Sequence, residues 1–350
     1  MRILVHEFAS GGGLAGHDVP ASLAREGSAM LAALVADLAA GGHEIVTTVD
    51  LRFPLPVPPG VEVVVLPAGG GATLDRLIAT ADAVWPIAPE TNGCLERLAA
   101  RVERGGTALL GPGSAAIRRA SDKSRLWRRL ARHGVAHPET HVPASDVDCR
   151  DVARQMGYPV VVKPGLGAGC EGVCLARDAR ELRRAAAIAH RANGTGPLVL
   201  QKYVDGAAAS VSLLADGTRA VPLTVNAQAV NAARPFSYSG GCTPFDHPLA
   251  ARAMETARRA CEALPGLRGY VGVDLVLTDR EAVVIEVNPR VTTAYLGVRA
   301  ATAENVAALA LAACAGRLPA PPRLLRRVRF SADGRIVSAR PMAAVVAVVA

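Results

Sequence analysis

Asp274, Glu286 and Asn288 fall within one short stretch, VGVDLVLTDREAVVIEVNPR, residues 271–290. Val271, Val273, Leu275 and Leu277 alternate as a half-buried strand does. Thr278–Glu281 is a polar turn, and 282–287 is a second apolar run, so the stretch reads as a β-hairpin. Counting back from the turn sets Asp274 nearly opposite Glu286, and Asn288, two residues on, shares its face. Carboxylates are rarely buried without compensation. Two of them with an amide oxygen make a hard-oxygen site suited to Mg²⁺ on nucleotide phosphates. Arg290 follows and can grip a phosphate oxygen bidentately. The competing reading is a solvated hairpin whose acids pair with surface arginines.

Lysines sharpen the choice. Of 39 basic residues only Lys123, Lys163 and Lys202 are lysines. In a chain that otherwise uses arginine, a lysine marks a place that needs a compact ammonium and not a planar fork. Lys163 ends an apolar strand, and Gly165-Leu166-Gly167-Ala168-Gly169-Cys170-Glu171-Gly172 follows before Val173–Leu175 resumes as strand. A Walker loop needs GK[ST] and a following helix, and neither is present. A glycine hairpin can instead fold over phosphates with its backbone N–H groups facing the anion, which nominates Gly165, Gly167, Ala168 and Gly169. Leu198–Gly206, LVLQKYVDG, delivers Lys202 from an apolar strand that breaks at glycine, and its backbone can face a base edge. Lys123 lies at the start of a basic helix running from Ser121 to about His133.

The elements that position these groups come in two styles. Strands at 2–8, 44–49, 62–66, 83–87 and 108–110 alternate with helices near 26–40, 73–80 and 95–104, which implies a parallel sheet covered on both faces. Ligands of such sheets sit at the strands' carboxyl ends, here the loops 7–13 and 86–92. GGGLAG in the first loop lacks the spacing of a dinucleotide fingerprint, so either a tight turn or a small-substrate site is expected there. Glu90 in the second is a substrate contact or an exposed loop acid. Gly111-Pro112-Gly113 marks a boundary. Beyond it come the lysine-bearing strands, a helix near 179–191, strands at 211–214 and 220–225, a loop at Tyr238–Pro244, a helix at 249–264, the acidic hairpin and a helix near 303–315. The domains expected are 1–112, 113–205, 206–330 and a tail, 331–350.

At 350 residues with 50% hydrophobic content the chain can bury several cores. The opening MRILVHEF begins as a strand, without the layout of a signal peptide, and no apolar helical stretch is long enough to span a bilayer. A cytoplasmic protein is expected. Seven scattered cysteines without a CxxC pair read as reduced thiols. The net charge of +8 comes from dispersed arginines, and aromatics make up 3%, which leaves few stacking platforms for nucleic acid.

The pieces DK at 122–123, VVVKPGLGAGCEGV, LQKYVDG and GVDL…IEVNPR, in this order, resemble the ATP-grasp superfamily of carboxylate–amine ligases over Asp122–Gly297. The resemblance implies α/β and α+β classes: two α+β subdomains clamping ATP, preceded by a parallel-sheet pre-ATP-grasp domain. It implies that Lys123 and Lys163 meet phosphates and that Gln201, Lys202, Tyr203 and Val204 line the adenine pocket, the last two through backbone. Asp274, Glu286 and Asn288 would hold two Mg²⁺, with Glu286 bridging and Mn²⁺ able to substitute, and Arg290 would contact the transferring phosphate. Many members carry a ribose-binding Glu near Ala208; this chain has Ala207-Ala208-Ala209, which leaves Asp205 as a ribose partner. A narrower likeness, carried by HEFASGGG, EGSAML at 26–31, IAPE at 87–90 and NPRVTTAYLG, is to tyramine–glutamate ligases of methanofuran-type cofactor synthesis. It implies substrate roles for Glu7, Ser10, Gly12, Glu26, Glu90, Tyr238, Thr292 and Thr293. Partners are then small molecules, without nucleic acid or membrane, and a homodimer stays open. The alternatives are another amino-acid or peptide ligase and a non-catalytic ATP-binding module; the complete Asp274, Glu286, Asn288 and Arg290 set argues against the latter.

Overall fold

The computed structural model describes residues 1–193, 196–232 and 235–342. Its first layer is a sheet of β1 (Arg2–Glu7), β2 (Glu44–Val49), β3 (Glu62–Val65), β4 (Ala83–Ile87) and β5 (Ala108–Leu109), in the order β3-β2-β1-β4-β5. Every pairing is parallel. Alternation along β1 sends successive side chains to opposite faces. Ile3 and Val5 pack with Met30, Leu31 and Leu34 of α1 (Ala21–Ala40). Leu4 packs with Leu74 and Ile78 of α2 (Gly71–Thr80) and Leu98 of α3 (Cys94–Arg104). α1 begins directly after Pro20, five residues before the expected start at Glu26.

The basic helix expected at 121–133 is two helices, α4 (Ser114–Ser121) and α5 (Lys123–Arg132). Asp122 divides them: its carboxylate accepts from Ser124 N at 3.0 Å and caps α5. A small antiparallel sheet follows, built of β6 (Thr140–His141), β7 (Val160–Pro164), β8 (Cys174–Ala176) and β9 (Leu198–Lys202) in the order β6-β9-β7-β8. It packs against α6 (Asp146–Met156) and α7 (Ala179–Asn193) through Ala153, Leu182, Ala185 and Leu200.

The third sheet holds β10 (Ala207–Asp216), β11 (Ala220–Asn231), β12 (Ser237–Thr243), β13 (Arg268–Leu277), β14 (Ala282–Asn288), β15 (Arg326–Ser331) and β16 (Ile336–Pro341), ordered β14-β13-β10-β11-β12-β15-β16. Val273 and Leu275 of β13 bury beneath α8 (Ala250–Glu262). On the other face α9 (Ala294–Ala301) and α10 (Val306–Cys314) join Leu214 and Tyr270 to the core of α1. Tyr295 of α9 donates to Asp37 Oδ2 at 2.5 Å and Arg299 Nη2 to Asp37 Oδ1 at 2.5 Å, tying α1 to the third sheet.

Three expectations are corrected. Tyr238–Pro244 is mostly strand β12, because β11 and β15 supply a ladder on either side although its small polar residues show no apolar alternation. The helix expected at 303–315 starts at Val306 under an Asn305 cap, and α9 ahead of it was not anticipated. The tail expected from 331 is in part a strand: β16 pairs with β15, whose Val328 and Phe330 are buried, so the sheet runs to Pro341. Residues 343–350 of that tail lie outside the described residues.

Candidate active site

The three layers meet around a cavity of about 470 Å³. Val161 and Lys163 of β7 and the end of β9 form one wall, Asp274, Glu286 and Asn288 a second, and Glu26 of α1 with Thr292 and Thr293 a third.

The acidic hairpin has the predicted register: Asp274 pairs directly with Glu286. Asp274 Oδ1 accepts from Gln228 Nε2 and Oδ2 from Asn288 Nδ2, each at 2.9 Å, which leaves Asn288 Oδ1 for a cation. Glu286 Oε2 lies 3.1 Å from Lys123 Nζ, which also donates to Gly167 O at 2.6 Å. Lys163 is 3% exposed. Burial brings its ammonium down to about 8, and Lys123 adds to this against the pull of Glu286 and Asp274. Burial, then Glu286, pushes the Asp274 carboxyl up. Burial also acts to raise Glu286, but Lys123 and Lys163 together outweigh it and hold that carboxyl down. The two carboxyls face each other across the hairpin, and their like charges oppose ionising together. Such a pair fits a divalent cation. Among the described residues no three His, Cys, Asp or Glu side chains gather to cage one. Mg²⁺ needs no such cage, since it combines one or two carboxylates with phosphate oxygens and waters.

Gln201, Lys202, Tyr203 and Val204 all line the cavity. Gln201 is buried and donates to Thr140 Oγ1 at 3.0 Å. The Lys202 ammonium donates to Met156 O at 3.0 Å and Gly157 O at 2.8 Å, closing the end of α6, a helix-capping role that takes it away from phosphates. Tyr203 N–H donates to Pro159 O at 3.2 Å; Val204 N–H has no acceptor among the described residues, which leaves it for a base edge. Asp205 is exposed and outside the cavity wall, whereas Ala208 lines it, so the structure does not bring Asp205 to a ribose.

The glycine loop divides by role. Gly165 is needed by packing: a Cβ there would come within 2.9 Å of Pro197 O, and its N–H donates to that same oxygen at 2.8 Å. Gly167 gives its carbonyl to Lys123. The Ala168 N–H donates to Thr91 Oγ1 at 3.1 Å. Gly169 lines the cavity.

The substrate candidates separate as sharply. Glu7 is 2% exposed and accepts from Ala9 N at 3.1 Å, Ser10 N at 2.5 Å and Ser10 Oγ at 2.6 Å. Burial raises its carboxyl, with Ser10 and Ala9 opposing. Glu7 and Ser10 thus close a turn behind the cavity and do not reach it. Gly12 is held at φ +95° with Leu66 Cβ 2.5 Å from where a Cβ would stand, a backbone requirement unrelated to substrate. Glu90 is 3% exposed, against the reading of a solvated loop acid. It accepts from Arg290 Nε at 2.9 Å, and its Oε2 is buried without a partner among the described residues. Glu26, Tyr238, Thr292 and Thr293 do line the cavity, and the Thr293 hydroxyl donates to Glu26 Oε1. Burial, then Glu26 and Asp274, pushes the Tyr238 phenol up.

Sequence reading missed Gln228, Thr91, Arg25 and Asp333. Gln228 orients Asp274 from β11, Thr91 tethers the glycine loop, and Arg25 and Asp333 line the cavity. Gln228 shares its strand with Thr224, Asn226 and Asn231, so its polarity alone did not single it out. Nothing local marked the others.

A family model described as an ATP-grasp domain matches residues 120–294, and one described as a pre ATP-grasp 3 domain matches 43–117. The carbamoyl phosphate synthase large chain of Vibrio vulnificus is 27% identical over 225 residues, 63% of this chain and 21% of that protein. The chain thus spans about a fifth of the length of such curated relatives. Tyramine–L-glutamate ligase of Methanocaldococcus fervens is 36% identical over 101 residues, 29% of this chain and 33% of that one. A crystal structure of an ATP-grasp superfamily protein from Archaeoglobus fulgidus superposes at TM-score 0.69 with 28% identity, covering 94% of this chain and 92% of that one. L-amino acid ligase from Bacillus licheniformis superposes at TM-score 0.69 with 17% identity, over 94% of this chain and 79% of that one, and so shares the fold. The architecture is the ATP-grasp fold with its pre-ATP-grasp sheet in front, and the protein belongs to the ATP-grasp family.

Proposed function

We propose that this protein is an ATP- and Mg²⁺-dependent ligase that joins the γ-carboxylate of L-glutamate to tyramine or a related phenolic amine. One observation carries the reading: a single cavity has a lysine-flanked acid pair on one wall and the α1 acid Glu26 on another. A carboxylate is a poor acyl donor. Its oxygen attacks the γ-phosphorus of ATP and ADP leaves; the amine then attacks the acyl phosphate, the C–O bond breaks and phosphate departs, while the amine's proton passes to solvent. Asp274, Glu286 and Asn288 would hold Mg²⁺, which would supply charge neutralisation to the phosphates of ATP. Lys163 and Arg290 add fixed positive charge in a water-poor wall. The glycine loop above Lys123 shields the acyl phosphate from water.

Support for the substrates comes from the tyramine–L-glutamate ligase likeness and from the cavity's far end. Among the described residues Glu26 there accepts only from the Thr293 hydroxyl, and it suits an ammonium group. Phe236, Val230 and Tyr238 give the apolar walls that a phenyl ring needs. The test is to incubate enzyme, Mg-ATP, L-glutamate and tyramine and look for γ-glutamyltyramine by mass spectrometry, with tyrosine, dopamine, D-alanine and ammonia run beside it. The product is expected with tyramine. Strong ADP release with D-alanine or ammonia and none with phenolic amines would overturn the substrates; no amine-dependent ADP release would overturn the ligase.

A further inference from the structure

We infer that the crevice between α2 and α3 is a second binding site, for a small metabolite carrying a phosphate monoester. It lies where the parallel sheet reverses its strand order, between β1 and β4, the place where open α/β sheets bind ligands. It is on the opposite face of that sheet from the ligase cavity. β1 itself shows this: Val5 faces α1, which carries Glu26, while Leu4 faces α2 and α3, and His6 lines the crevice with them. The inference does not rest on the ligase reading.

Three sets of hydrogen-bonding groups converge there, one of them cationic. Arg97, Arg101 and Arg104 stand one helical turn apart on one side of α3 and all line the crevice. Arg101, partly buried, donates from Nε to Asp75 Oδ1 at 2.6 Å, a carboxylate that also lines the crevice, and from Nη2 to Gly71 O; Arg97 donates to Asn92 O and, at 3.6 Å, to Cys94 Sγ, and Arg104 bonds to nothing among the described residues. α2 opens after Gly69-Gly70 with no side-chain cap. The first bond of the helix is Leu74 N to Gly70 O at 3.1 Å, so the N–H groups of Gly71, Ala72 and Thr73 are left for an anion. The third is His6, a 1% exposed side chain on the crevice floor. Its Nδ1 lies 2.6 Å from Thr48 Oγ1, and its Nε2 has no partner among the described residues. Burial, then Arg101, brings the ring down to about 4. The imidazole is therefore neutral, and the tautomer in which Thr48 donates to Nδ1 and the proton sits on Nε2 is the one that offers the crevice a donor.

The shape suits an anionic head on an organic body. The crevice measures about 890 Å³, and Phe8, Leu66, Leu74 and Leu98 give it an apolar side. A phosphate monoester takes several N–H donors at once and pairs with arginine forks; a carboxylate would use fewer of them.

The test is calorimetric titration of the full chain with ribose 5-phosphate, the ATP site being saturated with a non-hydrolysable ATP analogue and Mg²⁺. Saturable binding is expected, with inorganic phosphate competing and ribose giving no heat. The double variant Arg97→Ala/Arg104→Ala alters two exposed side chains and should keep its fold; it should bind at least tenfold more weakly. Lys163→Ala should leave this binding unchanged. Absence of binding, equal affinity in the double variant, loss in Lys163→Ala, or ribose binding as well as its phosphate would each overturn the site.

Discussion

The two ends of the cavity between the sheets look onto acids held in opposite circumstances. At one end Asp274 and Glu286 stand opposite each other on β13 and β14, with Lys123 against Glu286. Toward the other, three acids come from separate segments of the parallel-sheet domain, of which only Glu26 lines the cavity, and each meets a different fate. Glu7 is absorbed by its own turn, Glu90 by Arg290, and Glu26 keeps only the Thr293 hydroxyl. Like charges forced together by one hairpin point to a cation that separates them. Acids gathered by the fold carry no such message; whether each serves substrate or structure depends on what the rest of the chain has placed beside it.

The sharpest way to break this comparison is at the hairpin. Glu286→Ala is expected to lower kcat on the order of 10²–10³-fold, while the fold survives with a lowered melting temperature, because the buried Lys123 and Lys163 lose the carboxylate that faces them. Turnover in excess chelator, or undiminished turnover by this variant, would refute the metal assignment. Lys163→Ala should weaken ATP binding about 10–100-fold in calorimetry, since a charge-assisted hydrogen bond is worth ~1.5–3 kcal/mol. Lys163→Arg should recover only part of it, because a planar fork does not occupy the place of a buried ammonium. Unchanged ATP affinity in Lys163→Ala would mean that the glycine hairpin does not cover phosphates.

Glu90 sets the middle of the scale. It lies on the loop after β4, yet it holds Arg290, 200 residues away, at 2.9 Å, and both side chains are largely buried. The next residue, Thr91, takes the Ala168 N–H of the glycine loop. One loop of the parallel-sheet domain therefore contacts both the lid and the arginine expected at the transferring phosphate. Glu90→Gln keeps an acceptor for Arg290 but removes the charge. Its kcat should fall about tenfold, ~1.4 kcal/mol, with KM for ATP little changed. A rise in KM alone would make Glu90 a ground-state binding residue and not a positioning one.

What was legible in the chain was what the chain writes contiguously. The Asp274–Glu286 register follows from a turn and two alternating runs lying side by side, and the lysines declared themselves by rarity. The parallel sheet followed from repeated β and α units. Glu90 and Thr91 could not be read because their partners, Arg290 and Ala168, are distant in sequence and are brought near only by tertiary packing. Strand β12 was hidden for a related reason: Ser239, Gly240, Gly241 and Cys242 show no period of two, and their pairing is imposed by β11 and β15. Lys202 was given a place at the cavity that its backbone and stem do occupy, but its ammonium answers to the carbonyls at the end of α6.

Glu26 tests the other end of the comparison with the smallest expected effect. It is half-buried, it lines the cavity, and its one recorded partner is a neutral hydroxyl. Asp37 anchors α1 to Tyr295 and Arg299 on α9, so the approach of Glu26 to Thr293 does not depend on Glu26 itself. Glu26→Gln should therefore fold as the parent does, and a melting curve checks this. If Glu26 pairs with the ammonium group of an amino-acid substrate, the loss of one charge-assisted contact in a partly solvated site is worth ~1 kcal/mol. KM for that substrate should then rise about fivefold, with kcat and KM for ATP nearly unchanged, because the contact exists before and during phosphoryl transfer alike. Glu7→Gln, in contrast, should leave every KM alone and lower only stability, since Ser10 and Ala9 direct three donors at that carboxylate. If Glu7→Gln raised KM while Glu26→Gln did not, the division of the acids drawn from their partners would be reversed, and the substrate would lie deeper, against β1 and the turn that follows it.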